Sequence, residues 1–286
     1  MKRILFVTLS AIAFGCNSND SDNGAESSAV QAADKVDVQF SKQQIRDFKS
    51  AAKVFNAMPS PIEMAEIIQK SKVLYDPELL NDHKKTADYV TTMERALNLG
   101  VYFADLSFTS VFDHQQESVN YLKAAQKMAT ELNILDVFNE KITTRMEANM
   151  NNKDSLLTII SEAYLATDHY LYENQMQSVS AAVLIGSWIE GLSIATRLRS
   201  AEGESNLITS KVSEQQSSLK SLIGLLKDCK EIELAQIKDK LIKVEEYYNE
   251  VKVETAADST KTVTMSNATF KKIKVAINNI RTTIVE

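Results

Sequence analysis

Apolar residues recur at helical spacing along most of this chain. Ile45, Phe48, Ala52 and Phe55 step 3–4–3 after Ser41, which predicts a helix capped by that serine. Ser60, Pro61 and Glu63 then read as N-cap, N1 and N3 of the next helix, and Asp76-Pro77 starts a short helical turn in the same way. A long helix is predicted from about Lys84 to Phe112, its second half apolar on nearly every side. Residues 114–132 carry one apolar face through Val119, Leu122, Ala125, Ala129 and Leu132, and two more helices are predicted near 136–149 and 154–172. Residues 178–199 are again apolar all round. A helix without a polar face has to be surrounded, so the helices at about 84–112 and 178–199 are expected at the centre. The second is long enough to cross a membrane, but Glu190 lies inside it and charges flank it closely, which predicts a buried bundle helix.

The C-terminal third has a stricter period. Ile208, Val212, Gln215, Leu219, Leu222 and Leu226 form one heptad seam. Ile237, Leu241, Val244, Tyr248 and Val251 form a second, and Phe270, Ile273, Ile277, Ile280 and Ile284 a third. A short connection near Asp228 predicts a helical hairpin plus a third helix. The stretch VETAADSTKTVT reads as a polar loop, and no segment alternates convincingly as a strand. The expectation is an all-α bundle of about 9–10 helices, divided as 1–15 signal peptide, 16–40 tether, 41–200 central bundle and 201–286 C-terminal three-helix segment packed on it.

Composition agrees. Seven Gly and three Pro in 286 residues leave few chain breaks, as long helices require. A formal charge of −6 gives no electrostatic case for nucleic acid or anionic lipid. Removing residues 1–15 takes away two cations and no acids, which makes the charge −8.

The first residues change the picture of location. Lys2 and Arg3 precede eleven largely apolar residues, Ile4 to Phe14, too short for a bilayer span and of the length of a secretory signal. Gly15 and Cys16 follow. AFGC resembles a lipobox, in which the cysteine is diacylated and becomes the new N-terminus; Ala13 and Phe14 depart from its commonest residues. The alternative is a plain signal peptide with a cysteine nearby. Asn17 to Asp34 has the polar composition of a disordered tether. Asn17 is not the aspartate of inner-membrane retention, which favours the outer membrane, and the acidic residues soon after Cys16 resemble surface-export signals of Bacteroidota lipoproteins. With Cys16 acylated, Cys229 is the sole thiol and no internal disulfide can form.

Candidate chemistry is sparse. His83, His114 and His169 fall on different predicted segments. His114 and Glu117 form an H-x-x-E on one helical face; imelysin-like helical periplasmic proteins carry such a pair as a metal-site element, but here it stands without that motif's aromatic and glycine surroundings. A solvated helix start, with Asp113 as cap, is the competing reading. The chain has no E-x-x-H, G-x-S-x-G, C-x-x-C or H-E-x-x-H. No catalytic role, cofactor or resident metal is expected.

Asp105 and Glu190 stand out instead. Each is the single carboxylate in the apolar middle of a central helix, with Gly100 and Ala104, or Gly186, Ser187 and Gly191, nearby. Glycine inside a helix costs about 1 kcal/mol against alanine, so these glycines predict a close helix crossing, with Tyr102, Phe103 and Trp188 filling the space. A buried carboxylate has to be paired or protonated; Arg95, Arg145, Arg197 and the hydroxyls of Tyr89, Tyr164 and Tyr170 are the candidate partners. Two readings stay open: a ligand pocket lined by Tyr102, Asp105, Trp188 and Glu190, or a polar network that fixes helix register.

The blocks PSPIEMAEIIQKS, ALNLGVYFADLSF and LIGSWIEGLSIAT resemble a group of helical lipoproteins of Bacteroidota, over roughly residues 55–200. The resemblance implies a helical fold and an envelope location and carries over no activity. The expected function is therefore a lipid-anchored, non-catalytic interaction or scaffold module at the outer membrane, facing either side, bound to the membrane through Cys16 and to an envelope protein. A small-ligand-binding lipoprotein is the alternative, and a metal-binding module at His114 and Glu117 a weaker one.

Overall fold

Helix boundaries follow local capping chemistry. In the computed structural model, which describes residue 71 and residues 73–134, 140–198, 206–255 and 261–286, Asp76 caps a 3-10 turn at Pro77–Leu79 and Asp82 caps a second at His83–Ala87. Helix α1 spans Thr92–Val111. It begins well after Lys84, because Thr91 accepts the Glu94 N–H while the Glu94 carboxylate accepts the Thr91 N–H, a complete capping box. Helices α2 (Gln115–Glu131), α3 (Glu140–Ala148), α4 (Lys153–Glu173) and α5 (Gln177–Arg197) follow. Asp113 is not the cap of α2: it adopts φ 60°, and His114 holds the N-cap position. Cys16, the tether and the helices predicted after Ser41 and Ser60 lie outside the described residues.

The first C-terminal seam is split into α6 (Asn206–Ser213) and α7 (Gln216–Leu225), followed by α8 (Ile232–Tyr248) and α9 (Asn267–Val285). The break falls at Gln215, whose side chain is buried and accepts the Trp188 indole N–H at 3.2 Å. Leu219, Leu222, Leu241, Val244, Tyr248, Ile273 and Ile277 of the seams are buried. Between α8 and α9 the expected loop is a two-stranded antiparallel ladder, β1 (Lys252–Thr255) with β2 (Lys261–Thr264), in which Val253 stands opposite Val263. β-Branched residues at 251, 253 and 255 supply the period-two signal that the polarity of the stretch obscures. With nine α-helices among the described residues and this one hairpin, the fold is an all-α bundle.

Helices α1 and α5 form the core and make the most extensive contact in the molecule. They touch backbone to backbone: a Cβ on Gly100 would lie 2.0 Å from the Val183 carbonyl oxygen, and one on Gly186 would lie 1.9 Å from that of Leu97. Gly191 has open space around its Cβ position and takes no part in the crossing. Helix α2 packs on α1, and α9 packs on α5 and also reaches α1. Because α1 and α5 are covered from several sides, Ala96, Leu99, Val101, Leu106, Ala182, Ile185 and Ile189 are all buried.

Candidate functional site

One turn above the glycine crossing, α1 and α5 each place a carboxylate in the interior. Asp105 and Glu190 are both 0 % exposed. The partner of Glu190 comes from α9. Arg281 Nε donates to Glu190 Oε2 at 2.5 Å, and its Nη2 donates to Oε1 at 2.8 Å. This is the two-pronged geometry that matches a guanidinium to a carboxylate. The same Nη2 also donates to the Leu79 carbonyl at 3.3 Å, and Arg197 Nη2 donates to that carbonyl as well.

Asp105 is held differently. Its Oδ2 accepts the Asn81 backbone N–H at 3.2 Å, whereas its Oδ1 receives no N–H or O–H hydrogen among the described residues. Burial, and then the negative charge of Glu190, hold the Asp105 carboxyl well above the usual carboxylate range. A protonated Asp105 is placed to donate to Glu190. Arg281 is kept above its ordinary value: burial lowers it, but the hydrogen bonds and charge of Glu190 outweigh burial. Burial, and then Arg281, depress Arg197.

Asn81 is the node through which this pair reaches the rest of the fold. Its Nδ2 donates to the Tyr89 hydroxyl at 2.9 Å and to Asn98 Oδ1 at 3.3 Å, and its carbonyl accepts from Tyr121 at 2.8 Å. Asn98 Nδ2 continues to the Ile284 carbonyl at 2.9 Å, and the Tyr89 hydroxyl to that of Val285 at 3.4 Å. A strap formed by residues 77–91 and the last turn of α9 are thus tied to one polar core.

The four residues expected in a pocket do not all converge. Tyr102 lies one turn from Asp105, with its hydroxyl donating to the Asp82 carbonyl at 3.1 Å and burial pushing it far above an ordinary tyrosine. Trp188 is two residues from Glu190, hence on the opposite side of α5, and turns to Gln215. Arg95 and Arg145 serve other carboxylates, Glu131 at 2.9 Å and Glu162 at 2.7 Å. Sequence reasoning missed Arg281. The available signal was its place beside the third seam, four residues after Ile277 and three before Ile284.

At the start of α2, Tyr75 covers the H-x-x-E pair. Its ring stacks on His114 with centroids 3.7 Å apart, and its hydroxyl donates to Glu117. Among the described residues, no group of three or more His, Cys, Asp or Glu is placed to hold a metal ion. Asp168 and His169 point apart: Ser180 donates to the half-buried Asp168, and His169 pairs with Glu173 at 3.4 Å. Elsewhere an open cleft of about 500 Å³ is lined by Met93, Met176, Ser178, Glu231 and Glu233, and includes neither Asp105 nor Glu190. Comparison with protein-family models, curated proteins and solved structures finds no match for this chain.

Proposed function

We propose that the chain is a lipid-anchored envelope protein whose helical bundle acts as a non-catalytic interaction module at the outer membrane, tethered through Cys16. The observation that carries the non-catalytic part is the Arg281 fork on Glu190. It occupies both oxygens of one of the two acids that stood out in the sequence, which favours a polar network holding three helices over a site presented to substrate. The anchor rests on the short apolar run ending in AFGC. The alternative, a small-ligand site at the carboxyl pair, has in its favour the buried Asp105 Oδ1, an acceptor without an N–H or O–H donor. Labelled fatty acid fed to cells is expected to appear on the wild-type chain and not on Cys16→Ser, which should leave the membrane fraction. Label and membrane association retained in the Ser variant would refute the anchor. Affinity capture from intact envelopes addresses the interaction itself: a stoichiometric small molecule lost on Glu190→Gln would replace the scaffold reading with the ligand-binding one.

A further inference from the structure

We propose that the Asp105–Glu190 pair is a proton-operated latch: the proton held between the two carboxyls keeps the strap of residues 77–91 and the last turn of α9 docked on α1 and α5, and its loss frees both. This regulation goes beyond the anchored-module reading and does not depend on lipid at Cys16.

The geometry leaves an acceptor that a proton shared with Glu190 satisfies. Both oxygens of Glu190 are occupied by Arg281, and Asp105 Oδ2 takes the Asn81 N–H. Asp105 Oδ1 has no N–H or O–H donor among the described residues and is fully buried beside Glu190. Without a proton, two carboxylates face one guanidinium in a space closed to water, and like charges at such range disfavour the ionised pair. The surroundings offer little relief. From the strap come Asp82, Lys85, Asp88 and Tyr89, from just before it Asp76, from α1 Tyr102, from α2 Glu117 and Tyr121, from α5 Arg197, and from α9 Arg281. Beyond Arg281 the cations are Arg197, engaged with the Leu79 and Ser193 carbonyls, and Lys85, engaged with the Val285 carbonyl.

The consequence is mechanical, because Asn81 joins the pair to both moving parts. Displacing its N–H from Asp105 disturbs its bonds to Tyr89 and Asn98, which hold the Val285 and Ile284 carbonyls. Lys85 Nζ, also on the strap, donates to the Val285 carbonyl at 3.2 Å. Residues some two hundred positions apart therefore dock or release together.

The sign follows from linkage. An acid whose proton is held more tightly in the docked state than in the released one favours docking at low pH. Docking weakens as pH rises from the ordinary aspartate range to the raised value, by up to about tenfold in the equilibrium per pH unit. Hydrogen exchange of the full chain, corrected for the intrinsic pH dependence of the chemistry, reads this directly. Protection of residues 77–91 and 281–286 should fall with rising pH, while amides in the middle of α4 hold theirs. Asp105→Asn replaces the titrating carboxyl with a permanent N–H donor facing Glu190 and should flatten the profile, whereas Glu190→Gln removes the like charge but not the burial of Asp105 and should move the loss of protection to lower pH. In the wild type, the infrared carbonyl stretch of a protonated carboxyl should fade over the same pH window. A wild-type profile without pH dependence, a dependence that survives in Asp105→Asn, an unmoved profile in Glu190→Gln, or an infrared band that does not fade in step with protection would each overturn the latch.

Discussion

Adding a single methyl group at the helix crossing should separate two effects that usually mix. On Gly186, a Cβ would fall 1.9 Å from the Leu97 carbonyl oxygen and 2.8 Å from its carbon, whereas ordinary contact begins at 3.4 Å. The helices would have to part by about 1.5 Å, the difference between 3.4 and 1.9 Å. The obstructing atoms are backbone, so no rotamer change relieves them. Parting the axes also loosens Leu97, Leu99 and Ile185, which are at most 4 % exposed. Overpacking of this kind costs about 1–3 kcal/mol, and the fixed obstacle puts Gly186→Ala toward the upper end. Against it stands the gain of about 1 kcal/mol from alanine in a helix interior. A net loss of about 2 kcal/mol should lower the melting temperature by about 4–8 °C in a domain of this size. Gly191→Ala, on the same helix, meets nothing within 4 Å and keeps the whole propensity gain, so it should melt about 2–4 °C higher than wild type. Circular dichroism melts of the three proteins test the pair. A Gly186→Ala protein as stable as wild type would mean that α1 and α5 do not meet through their backbones. An equal loss in Gly191→Ala would mean that the crossing is misplaced along α5.

Arg281→Met should destabilise by about 3–5 kcal/mol in chemical unfolding, because it strands the fully buried Glu190 charge. The double variant with Glu190→Gln should recover a large part of that loss, and no recovery would argue that Arg281 acts through packing alone. Tyr248→Phe removes the hydroxyl that donates to the Val212 carbonyl at 2.8 Å and should cost about 1 kcal/mol. The loss stays modest because that carbonyl also accepts the Gln215 N–H at 3.2 Å, and a loss several times larger would show that the α6–α8 contact depends on this bond.

What the sequence reveals of this protein is set by the range of each physical signal. Burial is local in its imprint: isolated among apolar neighbours, Asp105 and Glu190 could be read as interior groups, and Gly100 and Gly186 as the point of close approach, without knowing any partner. Boundaries are also local, and the capping box at Thr91 to Glu94 marks where α1 starts, although the short 3-10 turn at His83–Ala87 ahead of it carries the same helical character. The choice of counter-charge is not local. Arg95, Arg145 and Arg197 are nearer Asp105 or Glu190 in sequence, yet the ion pair is made by Arg281, ninety-one positions after Glu190. Proximity in sequence says little about which cation reaches a buried acid. Position relative to an apolar seam says more. A cation flanking a seam is carried to the edge of the core when that seam packs, and Arg281, between Ile277 and Ile284, is such a cation. Helical phase also explains why Trp188 failed to join the site: a separation of two residues turns a side chain to the far side of the helix, however close it stands in the sequence. The same reasoning explains the function of Gln215. A polar residue in a heptad seam demands a buried donor, and Trp188, apolar in bulk with one N–H to place, is the side chain that satisfies it.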